Sequence, residues 1–270
     1  MKKLLHLLPI VLVGFSCQKV IDVDLNEAEP KLVIEAIYTA EDSTVRVRIT
    51  QTSSFFSASG EPTVDNASVS IMDENGVITA IPNVGDSHYQ LSNYAPQFGT
   101  SYTVSVTHNG TIYTSTCEMN SIVDQLDIFY EESDQAIGGG GFGGGESNDT
   151  TYVALLQFID PAEIGNYYQG TWLLNDTESN SLEEMILLDD NLTNGNNVFF
   201  PIFGITFEPG DSLEIDFRTV DKKIYDYYTE LISLTDPSSA APANPDYFWS
   251  NDALGYFNAY GNSRKYVVFP

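Results

Sequence analysis

Apolar and polar residues alternate in short runs along the first half of the chain, which is the pattern of β-strands with one buried face. In residues 44–50, valine and isoleucine alternate with arginine and threonine, the two-residue period of a half-buried strand. Asn75-Gly76 and Asn109-Gly110 supply the positive φ values of tight hairpin turns. About seven such strands in about 90 residues predict an immunoglobulin-like β-sandwich over residues 31–119. The clearest runs are residues 31–38, 44–50, 67–72, 77–81, 102–107 and 111–116.

A second β-rich domain is predicted for residues 120–270, because similar runs continue beyond Asn120. One helix is predicted over residues 220–234, where Ile224, Tyr228 and Leu231 recur at three-to-four-residue spacing after Asp221. Glycines fill most of residues 138–145, which predicts a flexible loop in this domain. The fold class is therefore expected to be all-β with one helix near the C-terminus. The strand-like runs are residues 122–130, 152–158, 168–174, 185–188, 198–203, 212–217 and 266–269.

The first sixteen residues have the composition of an export signal. Two lysines precede an apolar run from Leu4 to Phe15, which is shorter than the ~20 residues that a membrane-spanning helix needs. The run ends at Ser16-Cys17 and resembles the bacterial lipobox, whose cysteine is acylated after cleavage. We therefore expect a signal peptide over residues 1–16, lipid attachment to Cys17 and a tether over residues 17–30. The alternative is an ordinary secretory signal that ends near a cysteine.

Charge and cysteine content narrow the possible functions. The chain has 38 Asp and Glu against 11 Lys and Arg, a formal net charge of −27, and no Lys or Arg from Ile49 to Phe217. Nucleic-acid binding and attraction to anionic membrane surfaces both need a basic surface, so these classes are excluded. With Cys17 acylated, Cys117 has no cysteine partner. Its place in the alternating run 112–117 predicts a small buried hydrophobic residue.

The acidic and histidine residues show no distinct catalytic or metal-binding pattern. His88 and His108 follow the signal without zinc-ligand spacing or a nucleophile-elbow sequence. No catalytic residue, metal site or cofactor is therefore expected, although structural calcium stays open at residues 22–26 or 189–191. The densest acidic groups could form a glycosidase carboxylate pair, but solvated surface is their expected role. They are Asp160, Glu163, Glu183, Glu184, Asp189 and Asp190.

Aromatic residues near the C-terminus are the remaining candidates for binding. Tyr247, Phe248 and Trp249 follow a proline-rich stretch that is expected to form a surface loop. They are therefore the candidate contacts to a partner or ligand. Tyr256 and Phe257 lie in a tight apolar run and are expected in the core. For the group as a whole, both the core and the interface interpretation stay open.

Several short segments, in their order along the chain, resemble one known family. Together with Cys17 they resemble a lipoprotein family of Bacteroidota outer membranes, the domain of unknown function 4249 family, over essentially the whole mature chain. The resemblance implies an outer-membrane lipoprotein encoded beside a TonB-dependent transporter. It assigns no catalytic residue, so Cys17 alone carries over. The segments are Val20-Ile21-Asp22-Val23-Asp24, Lys31-Leu32-Val33-Ile34-Glu35-Ala36, Val69-Ser70-Ile71, Gly99-Thr100-Ser101-Tyr102, Pro242-Ala243-Asn244-Pro245 and Ala253-Leu254-Gly255-Tyr256-Phe257.

The sequence and the resemblance together predict a non-enzymatic accessory of a TonB-dependent outer-membrane transporter, which captures substrate or covers the mouth of the transporter. The lipid anchor is expected to hold it to the outer membrane. Gln18-Lys19 resembles the start of a surface-export tag, which favours the cell surface over the periplasmic leaflet. The alternative function is a structural or assembly subunit of a larger outer-membrane complex. A third is an extracytoplasmic hydrolase.

Overall fold

The described part of the chain folds mostly into β-strands, as the hydrophobic alternation predicts. The computed structural model describes residues 29–53, 61–133, 150–179, 181–202, 205–235 and 248–270. These residues form sixteen strands and one α-helix, which confirms the all-β fold class. The strands are β1 (Leu32–Thr39), β2 (Thr44–Gln51), β3 (Ser68–Met72), β4 (Ile78–Ile81), β5 (Asn83–Gly85), β6 (His88–Leu91), β7 (Thr100–His108), β8 (Thr111–Met119), β9 (Asp124–Ser133), β10 (Thr151–Ile159), β11 (Tyr167–Leu174), β12 (Thr177–Glu178), β13 (Ile186–Asp189), β14 (Asn197–Pro201), β15 (Ser212–Val220) and β16 (Leu254–Val268).

The first of two hydrophobic cores lies in a β-sandwich built mainly from residues 32–119. A four-stranded sheet, β4-β3-β7-β8, packs against the β1-β2 part of a nine-stranded sheet. Ile34 and Tyr38 point inward from β1, and Ile71 and Val104 point inward from the facing sheet. Alternate residues of each strand therefore supply this core, which is the β-sandwich predicted for this half of the chain.

The second core lies between the three-stranded sheet β14-β10-β9 and the β11-β15 part of the same nine-stranded sheet. Its centre is aromatic: Phe158 packs edge-on against Tyr168, with ring centroids 4.8 Å apart, and Tyr168 stacks on Phe217 at 5.5 Å. Aromatic pairs of this kind add about 0.5–1.5 kcal/mol each beyond the area they bury.

Strand β16 belongs to both sandwiches. Its first half pairs in parallel with β1, from Leu254 opposite Val33 to Tyr260 opposite Thr39, and its second half pairs antiparallel with β15. The order of the nine-stranded sheet is therefore β12-β11-β15-β16-β1-β2-β6-β5, with β13 also paired to β11. The sequence predicts a closing strand only at residues 266–269. The prediction missed the rest of β16 because its middle residues, Phe257 to Gly261, are covered on both faces and therefore show no two-residue alternation.

Two glycines allow β16 to pass between its neighbours. A Cβ at Gly255, where φ is +94°, would lie 2.2 Å from the backbone oxygen of Ile34. A Cβ at Gly261 would lie 2.5 Å from Ile122 and 2.7 Å from Phe98, whose side chains cover the strand where it changes partner. Close approach of backbone and neighbouring groups thus requires glycine at both positions.

The α-helix, α1 (Lys222–Thr235), begins two residues after its predicted start and ends one residue after its predicted end. Asp221 caps it, because its Oδ1 accepts the backbone N–H of Lys223 at 2.9 Å. The helix contacts the nine-stranded sheet through the buried Ile224 and through a cluster of tyrosines. None of the helical segments in the described residues is long and apolar enough to cross a membrane.

Candidate functional site

Several residues predicted from the sequence to have a function fall where the structure gives no description. Cys17, the glycine-rich segment 138–145 and Tyr247 lie outside the described residues. The calcium candidate at residues 22–26 lies outside them too. Lipid attachment, the loop and the contact role of Tyr247 therefore stay predictions.

Trp249 belongs to the first core, so the structure corrects its assignment as a surface contact. Its side chain is 2% exposed, and its Nε1 donates a hydrogen bond to the backbone oxygen of Ile34 at 2.9 Å. The prediction missed this because the segment after the proline-rich stretch returns to close the end of the first sandwich. Ser250 makes that closure: its Oγ accepts the backbone N–H of Thr114 at 2.8 Å.

Phe248 and Tyr256 pack between the sheet and α1. The ring of Phe248 lies edge-on to Tyr227, with centroids 5.4 Å apart. Tyr256 is half-buried against the same helix, and Phe257 is fully buried in the first core. The core interpretation is thus confirmed for Phe257, while Phe248 keeps a partly exposed side chain that a partner could reach.

Asp160 and Asp190 are buried, which corrects the expectation that they lie on a solvated surface. They are 1% and 3% exposed and stand at the starts of two adjacent loops, residues 160–166 and 190–196. Asp160 accepts the backbone N–H of Gly195 at 2.9 Å and the hydroxyl of Tyr168. Asp190 accepts the backbone N–H of Gly165 at 2.6 Å. Asp160 therefore stabilises the loop that Asp190 begins, and Asp190 stabilises the loop that Asp160 begins. The role of the two carboxylates is structural.

The carboxylates of Asp189 and Asp190 accept hydrogen bonds from within the protein. One Asp190 oxygen, Oδ2, accepts from Gly165 and Asn166, and Asp189 accepts from Asn191 at 2.7 Å. Within the described ranges, no group of three or more His, Cys, Asp or Glu is placed to hold a metal ion. Glu163 and Glu184 are exposed, and the side chain of Glu183 lies outside the described part.

Cys117 is buried in the first core, as its place in an alternating run predicts. It is 2% exposed, and its Sγ accepts the backbone N–H of Ala259 at 3.3 Å. Burial raises the pKa of its thiol to about 12. Because the thiolate is the reactive form, this cysteine is protected from nucleophilic chemistry at neutral pH.

All four arginines of the chain lie on one face of the nine-stranded sheet. Arg46 and Arg48 come from β2, Arg218 from β15 and Arg264 from β16. Cross-strand neighbours place them on the same face: Arg48 lies opposite Glu35, and Asp216 lies opposite Arg264. Positive charge that is scarce along the sequence is thus gathered on one surface, under and beside α1.

Arg218 is the most enclosed of these arginines. Its side chain is 20% exposed, and its Nη2 donates to Asp216 at 2.7 Å. The ring of Tyr260 lies 4.7 Å from the guanidinium carbon. Desolvation lowers the pKa of Arg218, but Tyr260 and Asp216 outweigh it, so the pKa is raised and the guanidinium stays charged.

A polar hollow of about 190 Å³ opens beside Arg218. It forms because β12 and β13 pair with the two ends of β11, and Ser179 and residues 181–185, here called the arch, lie away from the strand between them. The floor consists of Gln169, Thr171 and Arg218, and Tyr228 of α1 closes one side. A second hollow of about 410 Å³ lies beyond the same arch, against Trp172 and Leu174.

Three residues, one at the end of β12 and two on the arch, border both hollows. These are Glu178, Ser179 and Glu184. The Ser179 hydroxyl donates to Glu184, and the backbone oxygen of Glu184 accepts Nε1 of Trp172 at 3.0 Å. The arch is therefore held to the sheet edge and presents a carboxylate at the rim of a site whose floor carries the donors of Gln169 and Arg218.

Sequence reasoning missed this site, although one signal for it was present. In β15, Glu214, Asp216 and Arg218 alternate with apolar residues. The three charged side chains must therefore share a face, and Arg218 is the first basic residue after Arg48. What the pattern could not show is that α1 and the arch cover that face.

The family of the chain follows from a match over most of its length. The chain belongs to the family described as Domain of unknown function (DUF4249). The match covers residues 18–266 and confirms the resemblance noted in the sequence. No curated protein matches the chain in sequence.

Two solved structures are similar to the chain at low scores. A two fibronectin type-III domain segment from chicken tenascin has 11% identity and a TM-score of 0.26, covering 88% of this chain and 98% of its own. A cytokine receptor complex has 8% identity and a TM-score of 0.28, covering 86% of this chain and 94% of its own. Neither similarity bears on function.

Proposed function

We propose that this protein is a lipid-anchored, non-enzymatic accessory of a TonB-dependent outer-membrane transporter, and that it captures a small polar solute for that transporter. The observation that carries the capture role is the hollow beside Arg218. Its floor combines a charged guanidinium with the Gln169 amide, which is 1% exposed. Convergent polar groups on rigid strands, partly enclosed by neighbouring elements, are the usual arrangement of a small-molecule site.

The anchor part of the proposal rests on the N-terminal sequence. The apolar run that ends at Ser16-Cys17 supports acylation of Cys17, and the lipoprotein family that the chain resembles supports an outer-membrane location. A diacylglycerol and an N-acyl chain together give far stronger membrane attachment than a single acyl chain. The charge of −27 supports a role in which a tether, and not surface attraction, holds the body near the membrane.

Pull-down of the intact protein from detergent-solubilised outer membranes, followed by mass spectrometry, tests the partner. We expect one transporter barrel to co-purify in near-stoichiometric amount. Co-purification of a multi-subunit assembly or secretion complex instead would favour the structural-subunit alternative. The Glu208→Gln variant, in which an exposed acidic side chain loses its charge, serves as the control for nonspecific effects of charge on co-purification.

Cys17→Ala tests the anchor directly. We expect this variant to leave the membrane fraction, because the acyl chains supply the membrane affinity and a net charge of −27 gives the protein little attraction to a membrane surface. The measurement is the distribution between membrane and soluble fractions, together with the intact mass of the wild-type protein. A wild-type mass without added lipid would contradict the anchor, whatever the fractionation shows.

A further inference from the structure

The floor of the hollow offers hydrogen-bond donors that have weak or few partners inside the protein. Gln169 Nε2 donates to the Met185 sulfur at 3.2 Å, and a thioether is a weak acceptor. Arg218 has five N–H groups, and its hydrogen bonds within the described residues go to Asp216 and, at 3.4 Å, to Gln169 Oε1. The floor is therefore ready to donate to a ligand.

The rim of the hollow offers acceptors. Glu178 of β12 and Glu184 of the arch border the hollow, and both residues are exposed, so their carboxylates present acceptor oxygens at its mouth. A ligand in this hollow must accept hydrogen bonds at its inner end and donate them at its outer end.

Simple ions meet only half of this requirement. A carboxylate or phosphate ligand accepts from the floor but is repelled by the rim carboxylates and by the net charge of −27. An ammonium group donates to the rim but cannot accept the hydrogen bonds that Gln169 Nε2 and Arg218 offer on the floor. Arg218 is already neutralised by Asp216, so the floor gives an anion little net charge to bind.

A hydroxyl group meets the requirement fully, because it donates and accepts at once. A zwitterionic amino acid would also match both ends, but it would have to lose the hydration of two charges, which a neutral ligand does not. The hollows, of about 190 and 410 Å³, suit one or two sugar-sized rings. Trp172 borders the larger hollow, where its edge can contact the apolar face of a ring.

We propose that the hollow beside Arg218 binds a neutral, polyhydroxylated ligand of one or two sugar rings. Its hydroxyls accept from Arg218 and Gln169 and donate to Glu184 and Glu178. This inference rests on the proposed capture function but does not depend on the identity of the transporter. It names the ligand class that the capture site selects.

Titration calorimetry with the intact, acylated protein in detergent tests the inference. The probes are a panel of neutral mono- and disaccharides that includes glucose, galactose, maltose and cellobiose, compared with glutamate, putrescine and glycine. We expect at least one saccharide to bind with a Kd below about 1 mM, and the three charged probes to bind at least tenfold more weakly.

Two variants locate the binding. Glu184→Gln removes an acceptor from the rim, and Thr171→Val removes a hydroxyl from the floor without changing its shape. We expect each to weaken saccharide binding about tenfold while leaving the melting temperature near that of wild type. Glu208→Gln, an exposed change outside the lining of both hollows, should leave the Kd unchanged.

Three outcomes would overturn the inference: no saccharide in the panel binds, a charged probe binds more tightly than every saccharide, or the two hollow variants bind as wild type does. Failure of the proposed function has a different signature. If saccharides bind at the hollow but no transporter co-purifies, the ligand class holds and the accessory role fails.

Discussion

At the scale of single residues, the placement of Asp160 and Asp190 shows how burial decides the role of a carboxylate. Both belong to acidic groups that the sequence alone places on the surface. In the fold each is at least 97% covered and accepts backbone N–H groups of the loop that the other begins. These charge-assisted hydrogen bonds tie the backbone of each loop to a buried carboxylate, so the carboxylates fix the conformation of both loops.

Asp190→Asn tests this role. The change keeps the shape but replaces one acceptor oxygen and the negative charge, so that Gly165 and Asn166 lose charge-assisted hydrogen bonds. We expect the free energy of unfolding to fall by roughly 1–3 kcal/mol in urea denaturation.

The matched control is Asp176→Asn. Asp176 is exposed in a turn at positive φ, a conformation that asparagine also tolerates. Its unfolding free energy should stay within about 0.5 kcal/mol of wild type. Equal effects of the two changes would mean that lost net charge, and not the loop brace, determines the result.

At the scale of elements, β16 explains why glycine stands where the strand comes closest to its neighbours. At Gly255 two constraints coincide: φ is +94°, and the backbone oxygen of Ile34 occupies the space of a Cβ. Gly76 meets only the first constraint, because φ is +79° and nothing lies within 4 Å of a Cβ. The two positions therefore separate the effect of conformation from that of crowding.

Gly76→Ala should cost about 1–2 kcal/mol, the penalty of the left-handed region for a residue with a Cβ. Gly255→Ala should cost at least about 2 kcal/mol more, because β1 and β16 must move apart and backbone cannot yield as a side chain can. Chemical denaturation of both variants measures the difference. A Gly255→Ala variant no less stable than Gly76→Ala would show that the parallel pairing of β1 and β16 is looser than its register implies.

At the scale of the whole molecule, the two sandwiches share the nine-stranded sheet, and residues from the C-terminal end of the chain contribute to both cores. Trp249 and Phe257 follow the second sandwich in sequence but complete the first core, whereas Phe269 returns to the second. The predicted domains, residues 31–119 and 120–270, are therefore joined by more than a linker. We infer that neither core is complete without the strand that serves both.

Cooperative unfolding follows from this sharing. Ile71 in β3 and Leu156 in β10 are both fully buried, lie in different cores and belong to sheets that do not contain β16. Ile71→Ala and Leu156→Ala should each cost roughly 2–5 kcal/mol. Each should shift one common thermal transition, measured by calorimetry, because loss of either core exposes a face of the nine-stranded sheet. Two separate transitions, with one unmoved in each variant, would show that the sandwiches unfold independently.

The sequence by itself determined the class of local structure and most strand positions, because these depend on alternation and on turn residues such as Asn75-Gly76. It determined the helix too, through the spacing of Ile224 and Tyr228 and the cap at Asp221. These signals are local, so no knowledge of the fold was needed to interpret them.

The tertiary structure alone decided which side chains lie close together and which are buried. Trp249 enters the core because its segment returns across more than 200 residues to Ile34, and Asp190 is buried because a second loop packs over it. Arg218 becomes part of the floor of a site because α1 and the arch enclose one end of a charged face. Burial and proximity depend on long-range packing, and alternation along a strand specifies only which side a residue faces, not what covers it.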